Sequence, residues 1–147
     1  MLIAVTEFNR ERNELKLDFN NELKMLREEI KEFWDATTVA ERVDAFVDTE
    51  YVWLGTQVKC SFNTFAIPND MEKGVQSSLT IMERYLMEEL PVVKYHRIIN
   101  NARDIVCSAN AEKGKKLDKD GKVTKEGFKR DATAEIAAMI IEVTNIG

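Results

Sequence analysis

Two carboxylate clusters on consecutive predicted helices constrain this chain more than any other feature. The first is Glu28-Glu29-Ile30-Lys31-Glu32, followed by Asp35; the second is Glu41-Arg42-Val43-Asp44, followed by Asp48. Residues three and four apart share one side of an α-helix. Two such helices packed antiparallel turn several of these carboxylates toward one another. Two unit charges about 4 Å apart repel by roughly 4 kcal/mol at an effective dielectric of about 20. A fold accommodates such a pocket most easily around a divalent cation. Oxygen-only ligands select a hard ion, Mg²⁺ with Mn²⁺ as the alternative, over zinc or copper. Magnesium in turn points to phosphates.

The helices themselves follow from periodicity. Leu23, Leu26, Ile30, Phe33 and Trp34 form an apolar stripe that predicts a helix from about Phe19 to Ala36. Glu29 and Glu32 lie about 60° apart on the flank of that stripe. Thr37 and Thr38 stop this helix and cap the next, from about Val39 to Cys60. Its stripe is Val39, Val43, Phe46, Val47, Leu54 and Val58, and Asp44, Asp48, Tyr51 and Gly55 share an adjacent face. Gly55, which costs about 1 kcal/mol in a helix interior, marks close approach by a neighbouring helix or a ligand. Glu50 falls inside the apolar stripe, at a subunit interface or in the pocket.

Around this pair, a short helix capped by Thr6 opens the chain and runs to about Asn13. Residues 61–70 read as a loop, followed by helices at about Met71–Leu90 and Val92–Ala111, with Pro91 in the first turn of the latter. Asp120-Gly121 between apolar ends predicts a small hairpin over residues 117–123, and a last helix covers about Thr133 to Val143. The expectation is all-α: an antiparallel bundle of five or six helices, a single domain over residues 1–147, with a short polar hairpin or arm near the C-terminus. Only 2 prolines and 6 glycines interrupt the chain, which suits that class.

Charge and chemistry exclude several function classes. The net charge of −5 argues against general affinity for nucleic acid. The segment from Lys113 to Arg130 is nonetheless basic, a pattern suited to a small anionic ligand. The longest apolar run, Ile136–Ile141, is too short to span a bilayer. Cys60 and Cys107 read as reduced thiols, and a soluble, cytoplasmic protein is expected. His96 has Val93 rather than a carboxylate three residues before it, so the Glu-x-x-His pairs of di-iron bundles are absent. An EF-hand around Asp120 fails because Lys116 and Gly127 fill its first and twelfth places.

Glu28-Glu29-x-x-Glu32 resembles the E-E-x-x-E signature of the all-α nucleoside triphosphate pyrophosphohydrolases, which include MazG-like proteins, dimeric dUTPases and phosphoribosyl-ATP pyrophosphohydrolases. Asp48-x-x-Tyr51-x-x-x-Gly55 is similar to the second metal helix of that superfamily. Ser108-Ala109-Asn110-Ala111-Glu112-Lys113 and Asp120-Gly121-Lys122-Val123-Thr124-Lys125 resemble segments of its phosphoribosyl-ATP pyrophosphohydrolase-like members of phage or bacterial type. The likeness spans most of the chain and is weakest over residues 71–90. It departs from the pattern at Ala45, where the second motif usually carries a carboxylate.

The resemblance implies a magnesium-dependent hydrolase that cleaves the α–β phosphate linkage of a (d)NTP or related nucleotide, releasing the monophosphate and pyrophosphate. It implies Glu29, Glu32, Asp44 and Asp48 as metal ligands, with Glu41 as the alternative to Asp44. Glu28, then Glu32, would serve as general base. Asn110, Lys113, Lys122 and Lys125 would contact phosphate or sugar, and a homodimer or homotetramer is expected. Two rivals remain: a catalytically inactive nucleotide-binding relative, and a helical interaction protein without a ligand.

Overall fold

A long central helix organises the molecule. The computed structural model describes residues 1–12, 15–114, 119, 123, 124 and 127–145. Among these described residues the six α-helices are α1 (Leu2–Glu11), α2 (Phe19–Asp35), α3 (Val39–Phe62), α4 (Asn69–Glu89), α5 (Tyr95–Ala111) and α6 (Ala132–Asn145), with a 3₁₀ turn at Val92–Lys94 before α5. The other five helices all pack on α3, and α5 also packs on α6. This is the all-α bundle expected from the sequence. The proposed hairpin over residues 117–123 lies largely outside the described residues.

Local signals account for the boundaries. Asp18 caps α2 by accepting from the amides of Asn20 (3.1 Å) and Asn21 (3.3 Å), and Thr38 caps α3 by accepting from Glu41 at 3.2 Å. Thr6 does not cap α1. The helix begins four residues earlier, and the Thr6 hydroxyl donates back to the Leu2 carbonyl at 2.8 Å. The connection between α2 and α3 is three residues long. The two helices therefore run antiparallel: Glu22 on the first turn of α2 meets Lys59 near the end of α3, while Glu32 lies beside Asp48.

The core gathers Val5, Phe33, Val43, Phe46, Met82, Leu86, Ile98 and Ile136, each essentially inaccessible. Burial on α3 extends well beyond the expected stripe, to Tyr51, Trp53, Gly55, Thr56 and Lys59, because neighbours surround this helix. Trp34 departs from its expected place. It is 49% exposed and packs edge-on against Phe33 and Tyr85. Gly55 is explained by α1: a Cβ there would meet Asn9 Nδ2 at 3.4 Å and Val5 Cγ1 at 3.8 Å. Glu50 pairs with Arg103 of α5 through two hydrogen bonds, at 2.9 and 2.7 Å, in a hollow away from Asp44 and Asp48.

Candidate active site

Between α2 and α3, with α1 and the end of α5 closing the sides, lies a cleft of about 200 Å³. Its lining combines acids from two helices with polar groups from a third. Glu22, Met25, Glu29 and Glu32 form one stripe of α2, and Asp44, Asp48, Tyr51, Gly55 and Lys59 form the facing stripe of α3. Carboxylate oxygens of Glu29, Glu32 and Asp48 lie within 4.8 Å of one another. Glu29 is buried, Asp48 half-buried and Glu32 exposed, so the group opens from the protein interior to solvent.

Crowding of like charges leaves an electrostatic signature. Burial first, then the carboxylates of Asp44, Glu29 and Glu32, hold the Asp48 carboxyl well above the usual carboxylate range, with Lys113 opposing them. An all-oxygen, acidic donor set of this kind fits a hard divalent cation. Asp44 is oriented from α6, where the Thr133 hydroxyl donates to its Oδ2 at 2.8 Å. Burial raises the Tyr51 phenol far enough to keep it protonated, and Phe8 meets its ring edge-to-face at 5.6 Å.

The structure brings Glu29, Glu32, Asp44, Asp48, Asn110 and Lys113 to this one cleft. For the fourth acidic place left open between Asp44 and Glu41, Asp44 lines the cleft. Glu41 instead accepts from the Thr37 amide at 3.4 Å on an adjoining hollow. Glu28 also lines that hollow, which shares Glu32 and Asp44 with the cleft. Lys122 and Lys125 lie outside the described residues.

Several residues in and around the cleft escape the motif reading. Arg12 at the end of α1 is 4% exposed, lies over the Phe8 ring at 3.9 Å and donates to the main-chain carbonyls of Phe8, Asn110, Lys113 and Gly114. It fixes the end of α5 and the residues just after it, and with them Asn110 and Lys113, which line the cleft. Glu22 and Lys59 form a buried ion pair of 2.7 Å at the other end of the cleft. Their signal was available in spacing: Glu22 stands two helical turns before Glu29, and Lys59 one turn after Gly55. No family model, curated protein or solved structure matches the chain.

Proposed function

We propose that this chain is a magnesium-dependent nucleotide pyrophosphohydrolase that cleaves the α–β phosphate linkage of a (d)NTP or related nucleotide. One observation carries this reading: the carboxylate oxygens of Glu29, Glu32 and Asp48, within 4.8 Å of one another, share a cleft with Asn110 and Lys113. An acidic cation site thus faces a polar, cationic group suited to phosphate. The resemblance of Glu28-Glu29-x-x-Glu32 and Asp48-x-x-Tyr51-x-x-x-Gly55 to the all-α pyrophosphohydrolases supports it.

Glu29, Glu32 and Asp48 would hold the metal, with Asp44 beside them under the control of Thr133. Magnesium, when bound, neutralises phosphate charge and polarises water. Lys113 and Asn110 bind and orient phosphate or sugar from the opposite wall. Glu28, in the hollow that shares Glu32 and Asp44, accepts a proton from the attacking water. Trp34 and Tyr85 expose 49% and 44% of their surfaces side by side on α2 and α4, which favours a homodimer or homotetramer.

The test is turnover of a panel of NTPs and dNTPs with and without Mg²⁺, with products resolved as pyrophosphate or orthophosphate. The reading expects monophosphate plus pyrophosphate only with metal. Glu32→Gln should lower the rate by at least about 100-fold. Silence across the panel, with Mg²⁺ leaving Tm unchanged, would sink it.

A further inference from the structure

Two polar side chains along the cleft have no protein partner. Tyr51 of α3 and Asn110 of α5 are 7% and 9% exposed, and neither forms a side-chain hydrogen bond among the described residues. Their polar atoms are not sealed from their surroundings, and both residues line the cleft. Burying a hydroxyl or an amide without a hydrogen bond costs free energy, and such groups are rare in native proteins. Water can serve them in the resting protein, but a ligand that displaces the water has to supply hydrogen bonds of its own.

We propose that the Tyr51 hydroxyl hydrogen-bonds the 3′-hydroxyl of the substrate's sugar, the group that ribonucleotides and deoxyribonucleotides share. The proposal rests on the cleft being a nucleotide pyrophosphohydrolase site. The cleft has a direction. Asp44, Asp48, Asn110 and Lys113 also line the adjoining hollow against α6, so the acids and the lysine meet at one end, and the phosphates belong there. Phe8, Met25 and Val52 line the cleft farther from Asp44 and offer apolar surface to the nucleoside. Tyr51 stands three residues beyond Asp48, roughly 4.5 Å along α3 on the side away from Asp44. The sugar is what joins the α-phosphate to the base, so the phenol stands where the sugar passes.

The choice of the 3′-hydroxyl follows from the chemistry of the sugar. C3′ adjoins C4′, which carries the 5′-phosphate arm, so the 3′-hydroxyl is nearer to the phosphates along the chain than the 2′-hydroxyl. A group one helical turn from a metal ligand meets it first. Burial keeps the phenol protonated. Phenol and sugar hydroxyl are each both donor and acceptor, so the pair is satisfied in either direction. The ring is held before any ligand arrives: Phe8 meets it edge-to-face at 5.6 Å, and Arg12 lies over Phe8 at 3.9 Å. A hydroxyl fixed in this way loses little freedom on binding. A polar site of this kind discriminates strongly, because a ligand lacking the matching hydroxyl leaves a buried group unmatched.

The test is kcat/KM with Mg²⁺ for an NTP, its 2′-deoxy form and its 3′-deoxy form, with the base turned over fastest, in the wild type and in Tyr51→Phe. The wild type should use the 3′-deoxy form at least about tenfold less well than the 2′-deoxy form. Tyr51→Phe should lower kcat/KM by about tenfold for the two substrates that carry the 3′-hydroxyl. It should cost little more on the 3′-deoxy form, since the bond it would break is already absent, and this non-additivity marks direct contact. The hydroxyl has no protein partner, so Tm should not fall in the variant. A purely structural role would lower the rate on all three substrates alike. That result, no loss on any of them, or a loss that follows the 2′-hydroxyl would overturn the proposal. If no nucleotide is turned over at all, the pyrophosphohydrolase reading fails. Calorimetric titration of AMP, GMP, CMP and UMP and their 3′-deoxy forms then judges the sugar contact separately. Absent binding, or a Kd indifferent to the 3′-hydroxyl, would overturn the contact as well.

Discussion

Arg12 Nη2 donates to the main-chain carbonyl of Lys113 at 2.6 Å, tying the end of α1 to the end of α5. The same guanidinium reaches the carbonyls of Gly114 (3.1 Å), Phe8 (3.2 Å) and Asn110 (3.3 Å). Phe8 and Asn110 stand in the last turns of α1 and α5, where carbonyls lack partners within the helix, and Lys113 and Gly114 follow α5; one side chain donates to all four. Arg12→Met should therefore cost about 3 kcal/mol, or roughly 6–12 °C in Tm for a chain of this size. Arg12→Lys should recover only part of the loss, since an ammonium cannot reproduce the planar fork. Thermal denaturation of the three proteins checks this, and a loss under about 1 kcal/mol in Arg12→Met would refute the clamp.

A second expectation concerns pH. Burial and three neighbouring carboxylates raise the Asp48 carboxyl in the folded protein above its unfolded value. The folded, metal-free state thus binds the proton more tightly than the unfolded state does. By linkage, this contribution to stability is fully present below the unfolded value, about 3.9, and is lost as pH rises through the raised native value. A metal requires the ionised form, so Mg²⁺ binding should release a proton, and apparent affinity should increase with pH over the same window. Calorimetric titration of Mg²⁺ in two buffers of different ionisation enthalpy reads the proton directly. Identical heats in both would contradict the expectation.

Thr133 provides a third. Its hydroxyl is 2.8 Å from Asp44 Oδ2 and joins α6 to the acidic cleft. Thr133→Val preserves shape and removes the donor. The variant should lose about 1 kcal/mol of stability, and Mg²⁺ affinity should fall roughly tenfold, as when a group that orients a ligand is removed. Unchanged Mg²⁺ affinity would show that Asp44 does not take part in the site.

Helix periodicity made most of this architecture legible. Val43, Phe46 and Val47 are buried as their spacing on α3 requires, and Thr38 caps that helix where the sequence has a Thr pair. The acidic face was legible for the same reason: Glu29, Glu32, Asp44 and Asp48 sit at helical intervals on consecutive elements. Groups whose roles depend on distant partners were not. Arg12 acts on carbonyls about a hundred residues away, a contact that no local pattern encodes. Lys59 follows a predicted apolar position, Val58, yet is the more buried of the two, because α2 delivers Glu22 to it. Gly55 was recognised as a point of close approach, but only the tertiary fold identifies α1, through Asn9 and Val5, as what approaches.

The strongest prediction separates a functional acidic cleft from an incidental one. Asp48 is crowded by Asp44, Glu29 and Glu32, with Lys113 opposing them. Keeping it costs the metal-free protein stability, which is the usual relation between a site and its fold. Asp48→Asn removes one charge from the cluster with almost no change of shape. Without metal, the variant should be more stable than the wild type by about 1 kcal/mol at neutral pH, and the difference should shrink on acidification as Asp48 takes up its proton. With Mg²⁺ at millimolar concentration the order should reverse. The wild type gains stability from binding, and the variant, short of a ligand, gains little and loses catalysis. Parallel melts with EDTA and with Mg²⁺ give both halves of the comparison. A variant that is less stable without metal and still responds fully to Mg²⁺ would place the cation site elsewhere.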